Sequence, residues 1–147
     1  MSTPGALVRP TAGTAARRFA ARLAVLVARA VATLPPRRIR SVLTVLRLGA
    51  RPARYDEAES ARKVVLAVSL RCLGPQGCLP RSLATAVLCR MSGSWPTWCV
   101  GVRVAPPFGA HAWVEADGRM VDEAMPDGYM AKLIEVPPIG ARRPDER

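Results

Sequence analysis

A chain of 147 residues, half of them apolar, has room for one domain with a true core; it is too apolar for a disordered tail and too short for two comfortable domains. The net charge of +11 lies wholly in the first third: residues 1–54 carry eleven Arg and no Asp, Glu or Lys, while residues 55–147 carry eleven Lys or Arg against eleven Asp or Glu. Such a one-signed surface serves either an acidic partner (peptide, protein, nucleic acid or anionic membrane) or simply the solvated ends of Arg- and Ala-rich helices.

Residues 1–14, rich in Pro, Gly, Thr and Ala and without period, are predicted as a flexible tail. Beyond them Phe19, Leu23, Leu26, Val27, Ala30 and Leu34 recur at helical spacing, with Arg17, Arg18, Arg22 and Arg29 between them; Pro35-Pro36 stops this helix. Arg22 and Arg29 make the run a poor membrane span, and no cleavage site follows it, so a cytoplasmic setting with reduced thiols is expected. A second helix carries Ile39, Val42, Leu43 and Leu46 as one stripe, with Arg37, Arg38, Arg40 and Arg47 around it, and ends at Gly49 and Pro52. A third starts after Tyr55 with Asp56, Glu57 and Glu59 in its first turn, where carboxylates suit the helix dipole, and runs to about Arg71. The turn "LGPQG" breaks it. A fourth opens near Leu79-Pro80 and buries Leu79, Leu83, Ala86 and Val87. After "MSGSWPT" the grammar changes. Residues 98–105, "WCVGVRVA", alternate as a strand does, and "AHAWVEADGRMVDEA" reads as strand, Asp-Gly turn, strand. The order predicts an α+β fold: N-terminal helices, then a helix-initial Cys packed on a small antiparallel sheet. Residues 15–136 form one domain with a basic helical part at 15–54, and 137–147 are a flexible tail.

Four cysteines and one histidine offer no C-x-x-C pair, which argues against a structural zinc site, and no cofactor motif is present. Cys78 differs from Cys72, Cys89 and Cys99 in falling at a helix start after Gly77. There the unpaired N–H groups and the positive dipole end favour thiolate. The backbone N–H groups of Cys78 and Leu79 are also placed to hold an oxyanion. A base is needed, and His111, at the start of the first hairpin strand, is the sole histidine. If Asp117-Gly118 is a two-residue loop, Trp113 faces Asp122 and His111 faces Ala124. Asp122 is then the diagonal neighbour of His111, roughly 7–8 Å away at the backbone. Glu115 is too far along the strand, Glu123 points to the other face and Asp117 sits in the turn. Each residue also has an ordinary structural role: a helix-initial Cys is commonly a small buried hydrophobe, a strand His is commonly bland, and Asp-Gly is a good turn. The combination is the rarer thing.

Helix-initial Cys, strand His and next-strand Asp is an order that resembles the transglutaminase-like, papain-related superfamily. More narrowly, "CLPRSLA" with "HAWVEADGRMVD" resembles the standalone leader peptidases of lasso-peptide biosynthesis, over roughly residues 20–125. The resemblance implies Cys78 as nucleophile, His111 as base and Asp122 as orienting acid, with no metal or cofactor. It implies a precursor peptide as substrate, a separate leader-recognition protein as partner and possible contact with a macrolactam synthetase, without nucleic acid or stable membrane insertion. Arg37, Arg38 and Arg40 are the expected docking residues. A transglutaminase-type acyl transferase would use the same three residues, and a non-catalytic basic helical adaptor for nucleic acid is the alternative of another class.

Overall fold

The computed structural model describes residues 14–141 apart from 75, 123, 124 and 127, and at 71 and 73 the backbone only. The first helix, α1 (Ala15–Ala32), opens on Thr14, whose Oγ1 accepts the Arg17 N–H at 3.2 Å. Thr14 is thus a helix cap. The buried face of α1 is Ala21, Ala24, Val25, Ala28 and Val31. The large residues that set the predicted spacing point outward: Phe19 is 62% exposed, Leu23 40%, Leu26 59% and Val27 43%. The second helix, α2 (Pro36–Leu46), starts with Pro36 at its first position and buries Ile39 and Leu43. Carbonyls at its end and just beyond are capped from a distance: Arg90 Nε donates to Leu46 O at 2.7 Å and Arg90 Nη2 to Leu48 O at 3.0 Å.

A short strand, β1 (Arg51–Pro52), leads into α3 (Tyr55–Val68). Arg51 grips Glu57 with two hydrogen bonds of 2.7 Å, and that bonding holds the Glu57 carboxyl down at about 2. The third helix stops at Val68 rather than near Arg71, because Ser69 is extended (φ −134°), and a separate turn, α4 (Leu70–Leu73), follows. Then comes α5 (Cys78–Met91), capped by Gly77, so Cys78 is itself the first helical residue and Pro80 the third. Pro is harmless there, because first-turn N–H groups lack an intrahelical acceptor in any case. All residues from Ser82 to Cys89 are buried, which makes α5 the central helix rather than a one-faced one. It packs against both α1 and α3.

The second half supplies β2 (Ser94–Trp95), parallel to β1, and then β3 (Thr97–Arg103), β4 (Ala110–Ala116), β5 (Arg119–Met120) and β6 (Met130–Val136). These last four form one antiparallel sheet in the order β5-β4-β3-β6, so the fold is α+β, as expected. The Asp-Gly turn is the mirror-image kind, with Asp117 at φ 53° and Gly118 at φ 73°. Trp98, Val114, Ala116 and Val136 join the helix core, and the Trp98 indole donates to Ser82 Oγ on α5 at 3.1 Å. Segment 137–141 begins anchored: Arg47 Nη1 donates to Pro137 O at 2.8 Å and Pro138 is buried. The proposed tails at 1–13 and 142–147 lie outside the described residues. No helix among the described residues is long and apolar enough to cross a membrane.

Candidate active site

The turn before α5 closes through Gly77 N–H to Gly74 O at 3.0 Å, and the first helical bond runs from Arg81 N–H to Gly77 O at 2.9 Å. Arg81 also ties α4 to α5 by donating to Cys72 O at 3.0 Å. These bonds fix where Cys78 stands, half-buried at the head of the central helix. By helix geometry the Cys78 and Leu79 N–H groups have no intrahelical acceptor.

His111 enters from β4, opposite Gly101 of β3, and the structure brings it to Cys78. Its hydrogen bond to the sulfur is the largest influence lowering the Cys78 thiol below its usual value. Burial opposes it, and the Ala112 backbone N–H adds a further donor. The other thiols go the opposite way. Burial raises Cys72 and Cys99, and pushes Cys89 up to about 12. All four cysteines are free.

The imidazole has a wall. Trp113 lies two residues along β4, and its ring stacks on His111 with centroids 6.0 Å apart and planes 16° from parallel. Trp113 is 1% exposed. Its indole N–H donates to Glu115 Oε1 at 3.0 Å, and Lys132 Nζ of β6 holds Glu115 Oε2 at 2.9 Å. Space for the indole comes from Gly101. A Cβ there would fall on the Ala131 carbonyl oxygen and 2.9 Å from Trp113 Cη2.

Asp122 stands where the hairpin ladder ends. The hairpin keeps its predicted register through Val121, whose N–H reaches Val114 O at 3.0 Å. At Asp122 the backbone turns to φ 50°, and its N–H donates to the Tyr55 hydroxyl at 3.2 Å instead of continuing the ladder. The carboxylate is directed to α3, 3.9 Å from Arg62 Nη1. Burial, then the neighbouring Glu59, raises its pKa above the usual carboxylate value. Ala124, expected opposite His111, lies outside the described residues, as do Glu123 and Asp127.

Tyr55 was not singled out by sequence, yet three bonds tie it to the hairpin. Its N–H donates to Asp117 Oδ2 at 2.9 Å, Arg119 lies 4.0 Å over its ring, and its hydroxyl takes the Asp122 N–H. Leu79 is half-buried beside Cys78, whereas Arg37, Arg38 and Arg40 are exposed on α2. One cluster has ligand types for a cation: Cys99, Glu115 and Glu135 place ligand atoms within 4.8 Å of one another. Lys132 already supplies the positive charge there, at 2.9 Å from Glu115 and 3.9 Å from Glu135.

A family model described as the transglutaminase-like superfamily matches residues 21–134. No curated protein and no solved structure matches the chain.

Proposed function

Since the chain belongs to the transglutaminase-like superfamily, and is therefore of cysteine protease or acyltransferase type, we propose that it is a cysteine peptidase that removes the leader from a ribosomally made lasso-peptide precursor. The observation that carries the reading is the Cys78 thiol lowered by its hydrogen bond with His111 at the head of a buried helix.

In the proposed reaction the Cys78 thiolate attacks the carbonyl carbon at the leader–core junction, with its proton held by His111. The carbonyl π electrons move onto oxygen, which the Cys78 and Leu79 N–H groups receive. The C–N bond then breaks, and protonated His111 gives its proton to the leaving amine, the new N-terminus of the core peptide. Water, deprotonated by His111, attacks the thioester and frees the leader as a carboxylic acid. Asp122 is the acid we assign to orienting the imidazole, with Arg62 of α3 standing 3.9 Å from its carboxylate. The same reading makes a separate leader-recognition protein the partner that delivers substrate, with Arg37, Arg38 and Arg40 as docking residues and the macrolactam synthetase as a neighbour. It places the work in the cytoplasm, where four free thiols stay reduced.

The test is incubation with a precursor peptide and the leader-recognition protein, followed by mass spectrometry. Wild type should yield two fragments whose masses sum to the precursor plus one water. Cys78→Ala and His111→Ala should yield none, and Asp122→Asn far less. A cross-linked glutamine in place of fragments would assign the acyl-transferase reaction. Full activity in Cys78→Ala would overturn the reading.

A further inference from the structure

Phe19, Leu23, Leu26 and Ala30 follow one another at steps of four, three and four residues along α1, with Val27 beside them. That is the seam of a helix prepared to receive a second helix. It lies opposite the buried Ala face, is about 16 Å long at 1.5 Å per residue, and leaves four large apolar side chains in solvent. Apolar residues scattered singly on a surface need no explanation, but a continuous line of them on one helix does.

The charges beside the seam are one-sided. At 3.6 residues per turn, Arg18, Arg22 and Arg29 run along one edge, all exposed, and no acidic side chain of the described residues pairs with any of them. The other edge, Ala16 and Ala20 with Val27, is uncharged, and α1 has no acidic residue at all. A helix lying on an anionic membrane carries its cations on the polar face opposite the apolar one, whereas that face of α1 is buried against the core. A second copy of this chain has no acidic residue on its own α1 to meet the Arg row. A row on one flank fits a partner helix carrying a matching acidic row.

We propose that the outer face of α1 is a docking surface for an amphipathic helix of another protein, with Leu-type residues on its seam and Asp or Glu along one flank. This surface is separate from Arg37, Arg38 and Arg40, and it does not depend on the peptidase reading.

The experiment uses the full chain and two synthetic 21-residue helical peptides with Leu on the seam, one with a Glu flank and one with a Lys flank. Vesicles of phosphatidylglycerol are the third probe. Fluorescence anisotropy should show the Glu-flanked peptide binding at least tenfold tighter than the Lys-flanked one, with the difference shrinking as salt rises. Arg22→Glu with Arg29→Glu should reverse the preference, and Leu23→Ser with Leu26→Ser should weaken both by tenfold or more. Because these side chains are exposed, melting temperature and the Cys78 alkylation rate should stay at wild-type values, which separates this test from that of the active site. Equal binding of the two peptides would overturn the proposal. So would stripe-dependent binding to vesicles without binding to the Glu peptide, or stripe-dependent dimers in sedimentation.

Discussion

Cys78 is half-buried and held toward thiolate, whereas Cys72, Cys89 and Cys99 are buried and held toward thiol. Iodoacetamide at neutral pH should therefore add one carbamidomethyl group to the native protein, on Cys78, and four after unfolding. A lowered thiol pKa means thiolate persists to lower pH, so the alkylation rate should rise through a midpoint below that of an ordinary cysteine. His111→Ala removes the largest lowering influence and should move that midpoint upward. The wall behind His111 gives a second expectation. Gly101→Ala must displace the Ala131 carbonyl or the Trp113 indole, at a cost of about 1–3 kcal/mol. It should slow alkylation of Cys78 although the atoms a Cβ meets first belong to Ala131 and Trp113; an unchanged alkylation profile would show that Trp113 does not set the imidazole. Cys78 and His111 were legible because one is helix-initial and the other is the sole histidine. Trp113, Glu115 and Lys132 were not, because their meeting depends on which strand lies beside which, and no local pattern encodes that.

Among the elements, the Asp-Gly hairpin was the most readable, since the turn requires two positive φ values and few residue pairs supply them. Its second strand is nevertheless short, because Tyr55 of α3 captures the Asp122 N–H. Tyr55→Phe keeps the ring under Arg119 and loses only the hydroxyl acceptor. It should cost roughly 1 kcal/mol in chemical denaturation and speed hydrogen exchange at the Asp122 amide. Strand β6 escaped sequence reading for a local reason. Opposite Val100 and Gly101 the register jumps from Ile134 to Lys132, which leaves Leu133 bulged out and exposed and interrupts the alternation by which strands are recognised. On α1 the stripe of large residues was legible as helix, while its direction was not. Close approach to α5 favours the small side chains Ala21, Ala24 and Ala28, so the bulkier residues face outward.

At the scale of the whole molecule, the Arg51–Glu57 pair is a charged contact between the acid-free first third and the neutral remainder. The folded Glu57 carboxyl titrates near 2 against an ordinary 4.5, so its stabilisation is present above about pH 4.5 and is lost as pH falls from there toward 2. Arg51 is more than half exposed, so the contribution at neutral pH is about 1 kcal/mol or less. Glu57→Gln should lower stability near pH 7 by that amount and converge with wild type near pH 2, measured by urea unfolding across that range. The α+β order and the place of the helical part were readable because helix and strand periodicities separate cleanly along the chain; the three-dimensional centre was not. The fourth predicted helix looks one-faced in sequence, yet α5 is enclosed along Ser82–Cys89. Leu88→Ala there should cost about 2–5 kcal/mol. The enclosure also governs how variant libraries of this protein would read. Damaging substitutions should run unbroken through all eight of those positions, without the three-to-four-residue rhythm of a surface helix. A selection scoring only product would file them with Cys78 as functional residues, whereas a parallel score of folded protein abundance would separate them: low abundance throughout Ser82–Cys89, normal abundance with no product at Cys78.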